Sequence, residues 1–352
     1  MDHKDITSGG SPALPAADGI RGFACLWVLV VHNIAIIFPS TFPGLAGCGK
    51  IGVWLFFVLS AYLLTCKLRV TGLSWCALGS YGWGRFWRIV PPFAAALLLY
   101  RFAGTAGIDS SGDLVDALML RKGYAHLWTI PVEFKFYFIL PIFVAGFAWL
   151  ARSGGLRTVV LGGIALIVLH QVVFPFWQLG DNSIETRWYL SSFLVGIVAA
   201  FLPRLHRPVA ATIWGVAILA SVVLLMPVVR HALFGIEVSR YLMNKYLLLS
   251  PLWAIFIVTQ AEGVGWIGRI LRGRVMSALG HWSYSIYLVH WLFALKAREI
   301  AADHMIAVII SMVLAVFVGY CFYRTIERPS AFCRGKFWPK ARPVSGPASP
   351  GS

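Results

Sequence analysis

The stretch GIRGFACLWVLVVHNIAIIF, residues 19–38, decides the fold because it is long and apolar enough to cross a membrane as a helix. It nevertheless carries Arg21 near its start and His32 well inside it. The two residues are eleven positions apart (32 minus 21), which on an α-helix comes within about 20° of three full turns. Their side chains are therefore expected on one face, about 16 Å apart along the axis.

The composition extends this conclusion to the whole chain of 352 residues. Hydrophobic residues make up 59% of it and charged residues only 12%, and the mean hydropathy is +0.77. An average soluble protein carries about twice that share of charged residues. The apolar runs lack the short alternation of an outer-membrane barrel, so we expect an all-α, polytopic helical membrane protein.

Apolar runs separated by polar, Gly/Pro or charged breaks predict about ten transmembrane helices. They lie near residues 20–38, 50–66, 86–104, 126–150, 158–177, 187–202, 209–227, 243–260, 276–296 and 305–324. Because the loops between them are short, we expect residues 19–328 to form one membrane domain. Residues 1–18 are expected to be a cytoplasmic N-terminal segment. Residues 329–352, basic and then rich in Pro, Gly and Ser, are expected to be a disordered cytoplasmic tail.

The formal net charge of +16 is explained by membrane topology. With the N-terminus in the cytoplasm, basic residues such as Arg88, Arg152 and Arg204 fall inside, and acids such as Asp113 and Glu185 fall outside. The positive-inside rule then predicts that both termini are cytoplasmic, and no nucleic-acid partner is expected. The six cysteines form no C-x-x-C pair, so we expect free thiols and neither a disulfide framework nor a metal site.

Ionisable residues within the predicted spans are the candidate functional residues, because burying them in lipid is costly. Arg21 could simply anchor the first span at the headgroups, and His32 could be a neutral core histidine. Their shared face instead favours one cavity that holds an anion at its cytoplasmic mouth and a proton-transfer group, His32, near mid-membrane.

Two further segments offer charged groups. In YGWGRFWRIVPPF, residues 81–93, Arg85 and Arg88 are adjacent on a helical surface and suit the oxygens of a phosphate. The simpler interpretation is a positive-inside stop, with a bend or a new helix start at the following prolines. In HLWTIPVEFKFYFILPIF, residues 126–143, Glu133 is expected in the first or second turn of a span. It could be stabilised by the helix dipole, or it could orient a histidine or accept a hydroxyl proton.

A polar stripe is predicted in LGHWSYSIYLVHWLF, residues 279–293. Ser283, Tyr287 and His290 fall at i, i+4 and i+7 and therefore share one helical face. The stripe could hold helices together through hydrogen bonds, or it could line a substrate channel. Glu327, between Arg324 and Arg328, is most simply an exposed ion pair at a helix end.

Six segments, in this order, resemble the membrane-bound acyltransferase family 3, integral-membrane O-acyltransferases of surface carbohydrates. The resemblance is carried by ADGIRGFACLWVLVVH, GKIGVWLFFVLSAYLLT, RFWRIVPPF, HLWTIPVEFKFYFILP, LGHWSYSIYLVHW and YRTIERP, between residues 17 and 329. The chain departs from the family pattern at Thr129 and Pro131, where serines are usual, and at Ala61, where glycine is usual.

This resemblance implies an O-acyltransferase, most simply an O-acetyltransferase, in a bacterial inner membrane. It implies that Arg21, Arg85 and Arg88 help to hold the phosphates of an acyl-coenzyme A donor such as acetyl-CoA. It also implies that His32 is the catalytic base and Glu133 the acidic residue of the acceptor-side pocket. The expected acceptor is a hydroxyl of a cell-surface or exported carbohydrate.

The sequence leaves three questions open. His32 could deprotonate the acceptor hydroxyl, or it could carry the acyl group itself. The acceptor could instead be a small natural product or a lipid-linked precursor. In a different class of protein, a proton-coupled exporter of a sugar or glycolipid, His32, Glu133 and His290 would form a proton relay.

Overall fold

The structure is a computed structural model that describes residues 14–237, 242 and 244–337. Within these residues the chain is helical and contains no strand. The α-helices are α1 (Ala17–Ile37), α2 (Phe42–Leu45), α3 (Cys48–Thr71), α4 (Trp75–Ala103), α5 (Ser111–Leu118), α6 (Thr129–Val173), α7 (Thr186–Ala199), α8 (Pro208–Leu224), α9 (Pro227–Phe234), α10 (Tyr246–Gln260), α11 (Gly265–Leu271), α12 (Arg274–Ala301), α13 (Met305–Phe322) and α14 (Arg328–Phe337).

Several of these helices are long and apolar enough to cross a membrane. Four pass a test of length and hydropathy, and up to six do so if each of two bent pairs is one span. The bent pairs are α8 with α9, at 81°, and α10 with α11, at 89°. The chain is therefore a multi-pass helical membrane protein, while the number of ten spans and the sides of the termini stay predictions.

Helix α4 differs from the boundaries that the sequence suggests. Helix α4 starts at Trp75, eleven residues before the predicted start at 86, because the Ser74 hydroxyl caps it by accepting from the Ala77 amide at 3.3 Å. It also runs through the two prolines at 91 and 92, where we expected a bend or a new start. Arg85 and Arg88 consequently lie well inside one long helix instead of at its edge.

The predicted break near residue 154 is present inside α6. Gly154 and Gly155 leave helical geometry, and Gly155 has a φ of 68°. At the other end of the chain, residues 329–337 belong to α14, although the sequence suggested a disordered tail from 329. The rest of that tail lies outside the described residues.

Helices α1 and α12 pack unusually closely, and this contact aligns the groups that the sequence selected. A Cβ added to Gly280 would lie 1.7 Å from the Asp18 carbonyl oxygen, and one added to Gly22 would lie 2.2 Å from that of Met276. Only glycine permits backbones to approach this far. The contact brings α12 against the face of α1 that carries Arg21 and His32.

Helix α5 anchors the segment that leads into α6. Ser110 and Asp113 form a capping box at its start, and the Tyr124 hydroxyl donates to Asp113 at 2.9 Å. The Ser110 and Tyr124 hydroxyls together hold the pKa of Asp113 below its ordinary value. The chain then forms a short 3₁₀ turn, Ala125–Trp128, which is buried over its last three residues and carries His126 into the bundle.

Candidate active site

A cavity lies between α1, α3, α4, α6 and α12. It is lined by six residues that the sequence singled out: Arg21, Arg85, Arg88, Glu133, Ser283 and Tyr287. Further hydroxyl groups come from Ser60, Thr129, Tyr137 and Tyr284. The cavity thus joins polar residues that are far apart in sequence, with apolar side chains completing its wall.

The arginines give this cavity a positively charged wall. Arg85 and Arg88, three residues apart on α4, are both partly buried. Among the described residues, no carboxylate oxygen lies within 4.0 Å of either guanidinium. Arg85 lies over the Tyr137 ring, 5.8 Å from its centroid, whereas Arg21 pairs with Asp18 at 3.0 Å. Arg85 and Arg88 can therefore offer their hydrogen-bond donors to an anion.

Glu133 lies in the second turn of α6, as expected, but beside the arginines. The Ser60 hydroxyl donates to its carboxylate at 2.7 Å, and Arg88 and Arg85 lie within electrostatic reach. The sequence allowed Glu133 to orient His32. In the structure its hydrogen-bond partner is Ser60, and the partner of His32 is another residue.

The polar stripe on α12 forms as predicted, and all three of its residues are buried. The Tyr287 hydroxyl donates its one proton to the His126 carbonyl, so at 2.9 Å it must accept from the Thr129 hydroxyl. The Ser283 hydroxyl donates to the Gly280 carbonyl at 2.8 Å. Tyr287 thus ties α12 to α6 and also lines the cavity, whereas a substrate channel along the stripe stays a prediction.

His32 and His290 form a pair just beyond the Tyr287 end of the cavity. Nδ1 of His32 lies 2.9 Å from Nε2 of His290, and Nδ1 of His290 lies 2.7 Å from the Tyr287 carbonyl oxygen. His32 also contacts α3, because a Cβ added to Gly49 would lie 2.5 Å from its Nε2. Tyr287 and Val53, one helical turn away on α12 and α3, line the cavity. The pair is thus one turn of helix from the arginine-walled cavity.

Comparison with known proteins shows the family of the chain. A family described as an acyltransferase domain matches residues 14–324. The chain belongs to this acyltransferase family. Among solved structures, none matches it.

Curated relatives of the chain carry O-acetyltransferase names. They include "Putative O-acetyltransferase SACOL0978" of Staphylococcus aureus strain COL, 24% identical over 90% of this chain and 57% of that protein. "Putative peptidoglycan O-acetyltransferase YrhL" of Bacillus subtilis strain 168 is 24% identical over 90% of this chain and 54% of that protein. "Peptidoglycan O-acetyltransferase OatA" of Listeria monocytogenes is 23% identical over 90% of this chain and 55% of that protein. The chain spans little more than half the length of these relatives.

His126 lies beside the His32–His290 pair and was not among the residues selected from the sequence. It is 3% exposed, and neither ring nitrogen has a hydrogen-bond partner among the described residues. Its ring centroid lies 4.7 Å from that of His290, and it stacks on Trp291 at 5.4 Å. His126 is the first residue of the segment quoted for Glu133. A histidine at the start of a predicted span was therefore the feature that could have identified it.

Glu327 is a residue whose surroundings differ from the sequence-based expectation. We expected an exposed ion pair, but Glu327 is 4% exposed and accepts from the Ser285 hydroxyl at 2.7 Å. It ends a π-helical turn, Tyr323–Glu327, a local widening that is frequent at functional sites. Arg88 and Arg21 lie within its electrostatic reach, so Glu327 supplies negative charge behind the arginine wall.

All six cysteines are free thiols in the structure. Within the described ranges, no group of three or more His, Cys, Asp or Glu side chains could hold a metal ion. The candidate site is therefore built from arginine, carboxylate, hydroxyl and imidazole groups.

Proposed function

We propose that the chain is an O-acetyltransferase that moves an acetyl, or a related short acyl, group from acyl-coenzyme A to a hydroxyl of a carbohydrate. One observation carries the proposal: the cavity lined by Arg21, Arg85 and Arg88 ends within one helical turn of the His32–His290 pair. This proximity supports a path from an anion site at the arginines to a proton-transfer group at His32, as transfer from a phosphate-bearing donor requires.

The donor's phosphates bind to the arginine wall. Arginine presents planar pairs of N–H donors that match phosphate oxygens, and the Arg85 and Arg88 forks lack a carboxylate partner among the described residues. Glu133 and Glu327 offset part of the positive charge and so limit the repulsion among three neighbouring guanidinium groups.

The acyl-bearing arm of the donor then extends towards His32. The acceptor hydroxyl gives its proton to His32 Nε2 as its oxygen forms the new bond to the acyl carbon. The bond from that carbon to sulfur breaks, and the thiolate takes the proton from His32. In a second route, His32 Nε2 attacks the acyl carbon first, and the carbon–sulfur bond breaks to release the thiolate. The acceptor oxygen then attacks the same carbon, the bond from that carbon to Nε2 breaks, and the hydroxyl proton passes to the thiolate. Both routes need a free lone pair on Nε2.

The acceptor is proposed to be a cell-surface or exported carbohydrate. Two of the relatives are named as peptidoglycan O-acetyltransferases, which fits a glycan hydroxyl. A small natural product or a lipid-linked precursor would use the same site, but neither has support from the relatives' names. We place the protein in a bacterial inner membrane, with the donor entering from the cytoplasm.

The proton-coupled exporter is less well supported. Its relay would need Glu133 next to the histidines, whereas Glu133 bonds to Ser60 and His32 to His290. The family match also favours a transferase.

The proposal is tested by mixing the purified protein with acetyl-CoA and peptidoglycan or polysaccharide fragments, and measuring free thiol. Wild type should release thiol in an acceptor-dependent manner, and His32→Ala should not. The matched control is His304→Ala, which removes an exposed histidine at the start of α13 and should retain full activity. Thiol release by wild type that never exceeds that of His32→Ala, with any donor and acceptor, would refute the transferase.

A further inference from the structure

The two rings of the His32–His290 pair lie in nearly one plane. Their interplanar angle is 6° and their centroids are 5.2 Å apart, while the facing nitrogens are 2.9 Å apart. Face-to-face stacking would place one ring above the other. Here one nitrogen instead points at the other along the common plane of the two rings. This is the geometry of a well-aligned hydrogen bond.

The direction of this hydrogen bond follows from the second contact of His290. A carbonyl oxygen can only accept, so the Nδ1 of His290 must donate to the Tyr287 carbonyl 2.7 Å away. In a neutral imidazole the other nitrogen then has no proton and can only accept. His290 Nε2 therefore accepts from His32 Nδ1, and the neutral His32 ring keeps its lone pair on Nε2.

We propose that His290 is a positioning residue that fixes the tautomer of His32, so that the free lone pair of His32 lies on Nε2, facing the first turn of α3. The importance of this tautomer for acyl transfer rests on the proposed function. The tautomer itself does not, because it follows from the contacts of the two rings.

The surroundings hold His290 in the required orientation. Its side chain is 1% exposed and packs edge to face against His126 at 4.7 Å. The carbonyl that accepts from it belongs to Tyr287, whose own side chain is fixed by Thr129 and the His126 carbonyl. Trp291 packs edge-on against His32 at 5.1 Å. The pair thus has a rigid support on the α12 side, and His32 is the member that is partly exposed.

This arrangement also stabilises the product of proton transfer. When His32 Nε2 takes the hydroxyl proton, its ring becomes a cation that still donates from Nδ1 to His290. A hydrogen bond from a charged donor is about twice as strong as a neutral one. The proton of His290 stays in place throughout. A single proton therefore enters at Nε2 of His32 and later leaves to the thiolate.

The test is nuclear magnetic resonance of the full-length protein, labelled in its histidine ring nitrogens and held in detergent or nanodiscs. The chain has nine histidines, so the spectrum of His32→Gln identifies the His32 signals by subtraction. We expect wild-type His32 to show a protonated Nδ1 and an unprotonated Nε2. A protonated Nε2 on neutral wild-type His32 would overturn the proposal without any variant.

Three variants separate positioning from simple packing. His290→Leu removes the acceptor and should shift His32 towards the tautomer protonated on Nε2. His290→Gln can accept from His32 through its amide oxygen and should keep the wild-type tautomer. Cys25→Ala removes a different contact between α1 and α12, the thiol to the Ser283 carbonyl, and should change neither nitrogen. An unchanged His32 tautomer in His290→Leu would overturn the proposal.

Kinetics then link the tautomer to catalysis. We expect His290→Leu to lower kcat about 100-fold or more, the lower end of a general base's contribution, with KM for acyl-CoA unchanged. His290→Gln should recover at least about a tenth of wild-type kcat. Equal loss in both variants would contradict the positioning role. If the expected tautomers are found but wild type transfers no acyl group, the proposed function fails while the tautomer assignment stands.

Discussion

Gly49 lies directly in front of the Nε2 atom of His32. A Cβ at this position would approach Nε2 to 2.5 Å, closer than real contacts allow, while Gly49 itself sits in the first turn of α3. Gly49→Ala should therefore fold, because alanine favours helix, but the imidazole must turn away. A misplacement of this size costs about 100-fold in rate.

The measurement is kcat together with the thermal midpoint of the purified variant. Gly146→Ala is the matched control, since a Cβ there meets nothing within 4 Å on α6. Full activity in Gly49→Ala would show that Nε2 of His32 is not the reacting atom.

Arg85 is the guanidinium whose phosphate role is most directly testable. No carboxylate oxygen lies within 4.0 Å of its guanidinium in the described part of the chain. Removing Arg85 therefore leaves no carboxylate without an ion-pair partner. Arg85→Ala should weaken coenzyme A binding about tenfold or more, the value of a lost charge-assisted hydrogen bond. The affinity of Arg85→Lys for coenzyme A should lie between those of wild type and Arg85→Ala. Lysine keeps the positive charge but lacks the planar pair of N–H donors of arginine.

Titration calorimetry with coenzyme A provides the measurement for these arginine variants. Arg101→Ala, an exposed position near the end of the same helix, is the control and should bind as wild type does. Unchanged affinity in Arg85→Ala would remove Arg85 from the donor site.

At the residue scale, the sequence identified ionisable and polar groups that are costly to bury in lipid. It did not identify the side chains with which these groups pair. Six of the eight selected residues line one cavity, and His32 and His290 meet beside it. The bond between these two histidines crosses 258 positions of sequence, and no local pattern contains it. Glu327 was misread for the same reason, because its partner Ser285 is on another helix.

At the scale of elements, the contact of α1 with α12 sets the geometry of both ends of the site. Gly280→Ala would place a Cβ 1.7 Å from the Asp18 carbonyl, and a backbone atom cannot turn aside as a side chain can. The helices must separate, at a cost of about 1–3 kcal/mol typical of overpacking.

We expect Gly280→Ala to lower the thermal midpoint and to reduce both coenzyme A binding and kcat. The double effect is expected because α1 carries Arg21 at one end and His32 near the other. Gly146→Ala again serves as the control. A variant with wild-type stability and activity would show that the close approach is not needed.

Helix positions were predictable from apolar runs, whereas helix starts and interruptions were not. The break in α6 fell between the predicted apolar runs 126–150 and 158–177. Helix α4 started eleven residues early because Ser74 caps it, and a serine followed by a polar and aromatic stretch gives little hydropathy signal. The π-helical turn before α14 was not predicted, and its last residue, Glu327, accepts a hydrogen bond from Ser285 on α12.

At the scale of the whole molecule, the two halves of the proposed reaction lie towards opposite ends of α1. Arg21 is in the second turn of this helix, and His32 is in the second turn from its end. If the N-terminus is cytoplasmic, the donor's phosphates bind on the inner side and the acyl group is delivered towards the outer side. Such a polarity would let a cytoplasmic donor modify an exported carbohydrate, so the orientation of the chain is part of the proposed function.

Cys76 can report this orientation because it is an exposed free thiol at the start of α4, on the side predicted to be cytoplasmic. A membrane-impermeant maleimide should label Cys76 in inverted vesicles and not in intact cells. Asp109→Cys, placed in a Cys76→Ser background on the loop predicted to lie outside, should show the opposite pattern. Cys76→Ser alone measures labelling of the remaining thiols. If Cys76 reacts in intact cells, the chain is inverted, the arginine wall faces outwards, and a cytoplasmic acyl-CoA could not reach it.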